Sequence, residues 1–238
     1  MEYLINSTGI KISIRHNKRS ADPVVIIAPG FFQSKETKTF KRLERDLSSS
    51  LDVISMDFRG HGKSGGLYTF SAEEADDLKA VIDYARKIYS KVGVLGFSYG
   101  GAIAMIEASR NKNIDSLVCV GTPMASEEVE FMWWTLDALK LGLKGLERGA
   151  GVRPGNPTLK KINAIDVVSG ISPTPILFIH GEKDPTVGVR HSRMMHEKAG
   201  APKEIKLFKQ GSHAEEIYRQ YPVEFIQTVT QWFRKTLQ

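Results

Sequence analysis

Val92-Gly93-Val94-Leu95-Gly96-Phe97-Ser98-Tyr99-Gly100-Gly101 reads as a buried strand running into a tight turn with a serine at its apex; the small residues Ala102 and Ala104 then open a helix. Gly96 to Gly100 matches G-x-S-x-G, a pattern short enough to arise by chance. Its setting gives it weight. A tight strand-to-helix turn lifts the Ser98 hydroxyl above the sheet edge, and it crowds the backbone so that large side chains cannot flank the serine. Gly96 and Gly100 meet that need, and Gly101 leaves room for the helix to pack closely.

Moving outward, short β-branched runs alternate with helix-length amphipathic stretches. Val24–Ala28, Val53–Met56, Leu117–Val120 and Ile176–Ile179 are continuous apolar runs, as strands buried on both faces require. Ile10, Ile12 and Ile14 alternate with polar residues, predicting a half-exposed antiparallel edge strand, and Glu204–Phe208 predicts a shorter amphipathic strand. Leu78, Val81, Ile82, Ala85, Ile88 and Tyr89 fall at helical spacing behind a capping box, Ser71-x-x-Glu74. Phe40, Leu43 and Leu47 mark an earlier helix, and Phe225, Val229, Trp232 and Phe233 a C-terminal one. This alternation predicts an α/β fold: a mostly parallel sheet covered by helices on both faces. From about Pro123 to Val168 the rhythm stops. Phe131–Trp134, a run of leucines to Leu146 and a Gly/Pro-rich patch from Gly149 to Pro157 predict a small helical cap inserted between two strands of one domain spanning 1–238.

Composition excludes several classes. With 41% hydrophobic and 25% charged residues in 238, the chain has ordinary globular usage. No apolar run approaches the roughly 18 residues of a membrane span, and Met1 to Arg15 hold no apolar signal core, so a soluble cytoplasmic protein without membrane insertion is expected. The one cysteine, Cys119, sits in an apolar run and reads as a core thiol. The net charge of +6 comes from 33 basic residues interspersed with 27 acidic ones, which reads as a solvated mixed surface, with no nucleic-acid partner expected. Lys140, Lys144, Arg148, Arg153, Lys160 and Lys161 fall in or beside the cap and read as a solvated helix face. Gly62-Lys63-Ser64 lacks the upstream glycine of a phosphate loop, since that position is Asp57. His191 and His196 are five apart, the wrong spacing to share a helix face, so no metal is expected.

A serine hydroxyl is a weak nucleophile without a neighbouring base, and histidine titrates in the right range to be that base. Of the six histidines, His213 alone lies in a loop that follows a strand's C-terminal end and comes after an acid candidate. The base needs an acceptor to fix its tautomer. Asp184, just past the strand Ile176–Ile179, is assigned that part, with Glu182 as the competing acid. The developing oxyanion needs backbone N–H donors, assigned to Tyr99 and to Phe31 in the loop after the first buried strand.

Together Pro29-Gly30-Phe31, Asp57–Ser64, Gly96–Gly100, His180–Asp184 and Gly211-Ser212-His213 make the whole chain resemble the α/β-hydrolase superfamily. Within it the chain looks most like small, lightly capped carboxylesterases, including feruloyl esterases and monoacylglycerol-lipase-like enzymes. Where many members carry His-Gly ahead of the oxyanion residue, this chain has Pro29-Gly30. The resemblance implies an eight-stranded-type sheet, no cofactor, and hydrolysis of a small-molecule carboxylic ester through an acyl-enzyme. Phe32, Met132, Trp133 and Trp134 are the candidate pocket residues, and an exposed Trp133–Trp134 surface would be a candidate homodimer interface. An amide or peptide hydrolase of the same fold is the nearest rival, because both reactions share the acyl-enzyme. A non-catalytic receptor or interaction protein on this scaffold is the more distant one.

Overall fold

The computed structural model describes residues 2–19, 22–125 and 147–238. Its centre is an eight-stranded sheet of order β1-β2-β4-β3-β5-β6-β7-β8. The strands are β1 (Glu2–Ile5), β2 (Lys11–Asn17), β3 (Val24–Ala28), β4 (Asp52–Met56), β5 (Val92–Phe97), β6 (Ser116–Val120), β7 (Ile176–Gly181) and β8 (Lys203–Phe208). From β4 to β8 all neighbours pair in parallel, while β1 and β2 pair antiparallel at one side.

The continuous apolar runs are explained by burial on both faces. Successive side chains of a strand point to opposite sides of the sheet. Val24, Ile26 and Ala28 of β3 and Val92 and Val94 of β5 enter one core with Leu78, Val81 and Ile82 of α2 (Glu74–Arg86) and Ile103 and Ile106 of α3 (Tyr99–Asn111). Val25 and Ile27 of β3 and Leu95 and Phe97 of β5 enter the opposite core. There they meet α1 (Lys38–Leu47) and two helices late in the chain that carry Ile217, Tyr218, Phe225 and Val229. Among the described residues, two shorter helices follow α3, α4 (Ala164–Val167) and α5 (Arg190–Lys198). Helix α6 is Glu215–Gln220, and α7 (Pro222–Thr236) starts with a proline, whose fixed φ suits a first helical position. Cys119 is fully buried in the first core, and burial pushes its thiol pKa up. Among the described residues no helix is long and apolar enough to cross a membrane.

Several expectations need correction. The strand around Ile12 and Ile14 is not the sheet's edge. It is β2, paired on both sides, and β1 is the edge, with Ile5 64% exposed. The Ser71-x-x-Glu74 box is only half formed. Ser71 lies outside the helix at φ +76°, and Glu74 reaches back to the N–H groups of Ser71 (3.0 Å) and Thr69 (2.6 Å). Ile88 falls past the end of α2 and is exposed. Helix α5 buries His191, Ser192 and Met195 despite its polar sequence. Of the expected cap, 126–146 lies outside the described residues. The stretch from 147 to 163 is irregular, touching the body through single bridges, His61 to Val152 and Tyr68 to Pro154.

The loop after β3 and the loop after β4 are locked together by a buried ion pair. Lys35 Nζ lies 2.5 Å from Asp57 Oδ2 and 2.7 Å from Ser13 Oγ, with both charged side chains wholly buried. Asp57 also accepts the N–H groups of Lys35 and Lys63. Removing one partner of such a pair strands the other charge in the interior. Lys35→Met is therefore expected to destabilise the fold by about 3–5 kcal/mol, read as a lowered urea midpoint at unchanged slope.

Candidate active site

Ser98 stands at the C-terminal end of β5 with φ 48° and ψ −118°, a backbone conformation that L residues rarely adopt. The turn is held by the Ser98 N–H donating to the Val120 carbonyl (2.7 Å) and by the Gly101 N–H donating to the Ser98 carbonyl (3.0 Å). The flanking glycines are required by contact. A Cβ on Gly96 would lie 2.6 Å from the Gly101 Cα, and one on Gly100 would collide with the carbonyl oxygens of Ala28 and Pro29. The result is a half-buried hydroxyl above the sheet, at the start of α3.

His213 arrives from the loop between β8 and α6. The following residue, Ala214, has φ 43° and packs against Gly121 at the end of β6, which turns the ring toward Ser98. His213 Nε2 lies 3.0 Å from Ser98 Oγ, and His213 Nδ1 lies 2.7 Å from Asp184 Oδ2. Asp184 is wholly buried just beyond β7, where its Oδ1 accepts the N–H groups of Thr186 (2.9 Å) and Val187 (2.8 Å). Burial alone would raise its pKa. The donors from His180, His213 and the Val187 N–H outweigh that and hold the carboxyl well below the usual carboxylate range. The competing acid, Glu182, points elsewhere and pairs with Arg193 at 3.1 Å.

The loop after β3 runs against the serine, since a Cβ on Gly30 would lie 3.3 Å from Ser98 Cβ. The Gln33 N–H closes this loop onto the Gly30 carbonyl at 3.1 Å. Phe31 follows Gly30 and is 40% exposed, and Phe32 is half-buried, its ring edge-on to Phe31 at 4.7 Å. Tyr99 begins α3, where a backbone N–H has no acceptor within the helix. Met132, Trp133 and Trp134 lie outside the described residues.

Three residues near the site, His180, Glu74 and Tyr68, carry no site role in the sequence reading. His180 is fully buried, 3.4 Å from Asp184 Oδ2 through Nε2, which also donates to the Val187 carbonyl at 2.7 Å. Its Nδ1 meets Ser192 Oγ at 2.6 Å. Glu74 and Tyr99 share a donor, because the Ser71 N–H lies 3.0 Å from both Glu74 Oε2 and the Tyr99 hydroxyl. Tyr68 packs on that same tyrosine. His180 follows the apolar run Ile176–Ile179 and Glu74 sits in the capping pattern, so only the fold reveals these contacts. Among the described residues no cluster of three or more His, Cys, Asp or Glu could hold a metal ion.

A family model described as the alpha/beta hydrolase fold matches residues 23–143, just over half of the chain. The protein YfhR of Escherichia coli O157:H7, uncharacterized, is 25% identical over 195 residues, covering 74% of this chain and 61% of that protein. The chain thus spans about three fifths of that bacterial relative's length. The human serine hydrolase BPHL is 24% identical over 81% of this chain and 73% of its own. Among solved structures, an esterase of Pyrococcus furiosus superposes with a TM-score of 0.81 at 22% identity, covering 100% of this chain and 90% of that one. The esterase RhEst1 from Rhodococcus sp. ECU1013 does so with 0.79 at 18%, covering 100% and 99%. With the sheet order, the elbow at Ser98 and this match in hand, the chain belongs to the alpha/beta hydrolase fold family.

Proposed function

We propose that the chain is a serine hydrolase that cleaves carboxylic esters through an acyl-enzyme. One observation carries the reading: the Ser98 hydroxyl, the His213 ring and the buried Asp184 carboxylate form one line of hydrogen bonds, 3.0 and 2.7 Å long. The carboxylate accepts a hydrogen bond from the Nδ1–H, which holds the proton on Nδ1 and leaves Nε2 to accept the serine hydroxyl. His213 can then take the Ser98 proton as Oγ attacks the ester carbonyl. The N–H groups of Tyr99 and Phe31 receive the charge that develops on the carbonyl oxygen, each such donor supporting the rate by about 10²–10³. The imidazolium returns its proton to the leaving alcohol, and His213 next activates the water that releases the acid.

The substrate is a small-molecule ester of small or moderately apolar acyl or aryl acid, with neither nucleic acid nor membrane insertion involved. The exposed face of Phe31 beside the half-buried Phe32 supports an apolar wall, to which we add Met132, Trp133 and Trp134. The structural neighbours from Pyrococcus furiosus and Rhodococcus are esterases, which favours esters over amides. Parallel turnover of p-nitrophenyl esters and matched p-nitroanilides tests the choice. Ester turnover exceeding anilide turnover by at least about 10²-fold in kcat/KM, some 2.7 kcal/mol of barrier, is expected. Equal or faster anilide cleavage would assign a peptidase instead.

A further inference from the structure

The two oxyanion donors proposed above come from chain segments far apart in sequence, the loop after β3 and the first turn of α3, and one side chain touches both. Tyr68 is buried, 6% exposed, and its ring centroid lies 5.2 Å from that of Phe31 and 5.1 Å from that of Tyr99. The ring of His61 closes the cluster, 5.3 Å from Tyr68 and 6.1 Å from Phe31. The backbone of Tyr68 is itself clamped. Its N–H donates to the Arg153 carbonyl (2.9 Å), and its carbonyl accepts the Gly155 N–H (2.8 Å). The same irregular strap also holds the neighbouring loops: the Gly151 N–H donates to the Phe32 carbonyl (2.9 Å), and the Arg153 N–H donates to the Gly60 carbonyl (2.8 Å). The far end of Tyr99 is fixed by the Ser71 N–H on its hydroxyl at 3.0 Å.

We propose that Tyr68 is a positioning residue: its ring, held by the 151–155 strap, sets the separation of the Phe31 and Tyr99 N–H groups. The inference rests on the ester-hydrolase reading. Oxyanion donors act only if they are aimed at the place where the charge develops, and a shift of about 1 Å in such a group can cost 10²-fold in rate. The contact is made by ring faces and edges, which pack at tilted and T-shaped angles of 42° and 72°. The ring spans both segments, and the Tyr68 hydroxyl adds a side-chain hydrogen bond toward Tyr99.

The test compares the wild type with Tyr68→Phe and Tyr68→Leu, with Tyr68→Met as the stand-in should the leucine variant not fold. Steady-state hydrolysis of p-nitrophenyl butyrate gives kcat and KM. Binding of butylboronic acid gives affinity for a tetrahedral adduct, formed as Ser98 Oγ bonds to boron and its proton passes to His213. With the ring gone, kcat is expected to fall by about 10- to 100-fold with KM little changed, and boronate affinity to fall in parallel, as when an oxyanion donor is lost. Tyr68→Phe, which keeps the ring and loses only the hydroxyl's bond toward Tyr99, should stay within a few-fold of wild type in both. An unimpaired kcat in the ring-less variant, a loss confined to KM, or a Tyr68→Phe protein as damaged as Tyr68→Leu would each overturn the proposal. A wild type that neither turns over the ester nor binds the boronate would instead overturn the ester reading, and this inference with it.

Discussion

Ser98→Ala is expected to lower kcat for ester hydrolysis by on the order of 10⁶, the largest loss of any single replacement in the chain. Alanine removes the only atom that can form the acyl bond, Oγ, together with the hydrogen bond that His213 Nε2 makes to it at 3.0 Å. The fold should survive. Position 98 sits at φ 48°, which alanine tolerates no worse than serine, and the N–H to Val120 is a backbone bond. Thermal midpoints of the two proteins should therefore agree within a few degrees, with KM for the ester little changed. Residual turnover comes from binding and the oxyanion donors, which the substitution leaves in place. Steady-state kinetics with p-nitrophenyl acetate, alongside a melting curve, measures both halves of the expectation.

Asp184→Asn comes next, with kcat expected to fall by about 10⁴. The asparagine oxygen can keep the bonds that Oδ1 receives from Thr186 and Val187. Its amide nitrogen then faces His213 Nδ1 as a donor. The ring must accept there and carry its proton on Nε2, the nitrogen aimed at Ser98, which is the wrong tautomer for a base. The same amide also meets the His180 Nε2–H, donor against donor, where Oδ2 stood 3.4 Å away. The pH dependence has a definite sign. The folded pKa of Asp184 lies below its unfolded value of about 3.9, so its ionised form stabilises the fold above that pH, and the contribution is lost as pH falls through the folded pKa. The stability gap between wild type and Asp184→Asn is thus expected to be full at neutral pH and to narrow below about pH 4. Because the carboxylate stays ionised across the working range, it adds no acid limb of its own to the rate profile. Melting curves and kcat against pH check both statements.

Much of this was legible in the sequence, for physical reasons that can be named. A strand buried on both faces must be apolar throughout, so Val24–Ala28, Val92–Phe97 and Ile176–Ile179 announce themselves. The elbow is legible because Ser98 can take its conformation only between residues as small as Gly96 and Gly100. The line from Ser98 through His213 to Asp184 follows once sites are sought at the C-terminal ends of parallel strands. Strand β1 was not legible, since Glu2–Ile5 is mostly exposed and owes its conformation to pairing with β2. The capping pattern at Ser71 misled because Glu74 satisfies the same backbone donors from inside the fold, without Ser71 entering the helix. The strap over Tyr68 was legible only as part of the Gly/Pro-rich patch from Gly149 to Pro157, with no sign of what it holds. Its bonds to Tyr68 and Phe32 are backbone to backbone, which any residue except proline can donate, so no residue type marks them.

Acylation at the Ser98 hydroxyl is the event on which the proposed chemistry depends. The wild-type protein is to be treated with a fluorophosphonate, and separately quenched during turnover of p-nitrophenyl acetate, then digested and mapped by mass spectrometry. The predicted result is a single adduct on Ser98, absent from Ser98→Ala and formed far more slowly in His213→Ala. Ester turnover with Ser98 unmodified, or an adduct on another residue, would contradict it.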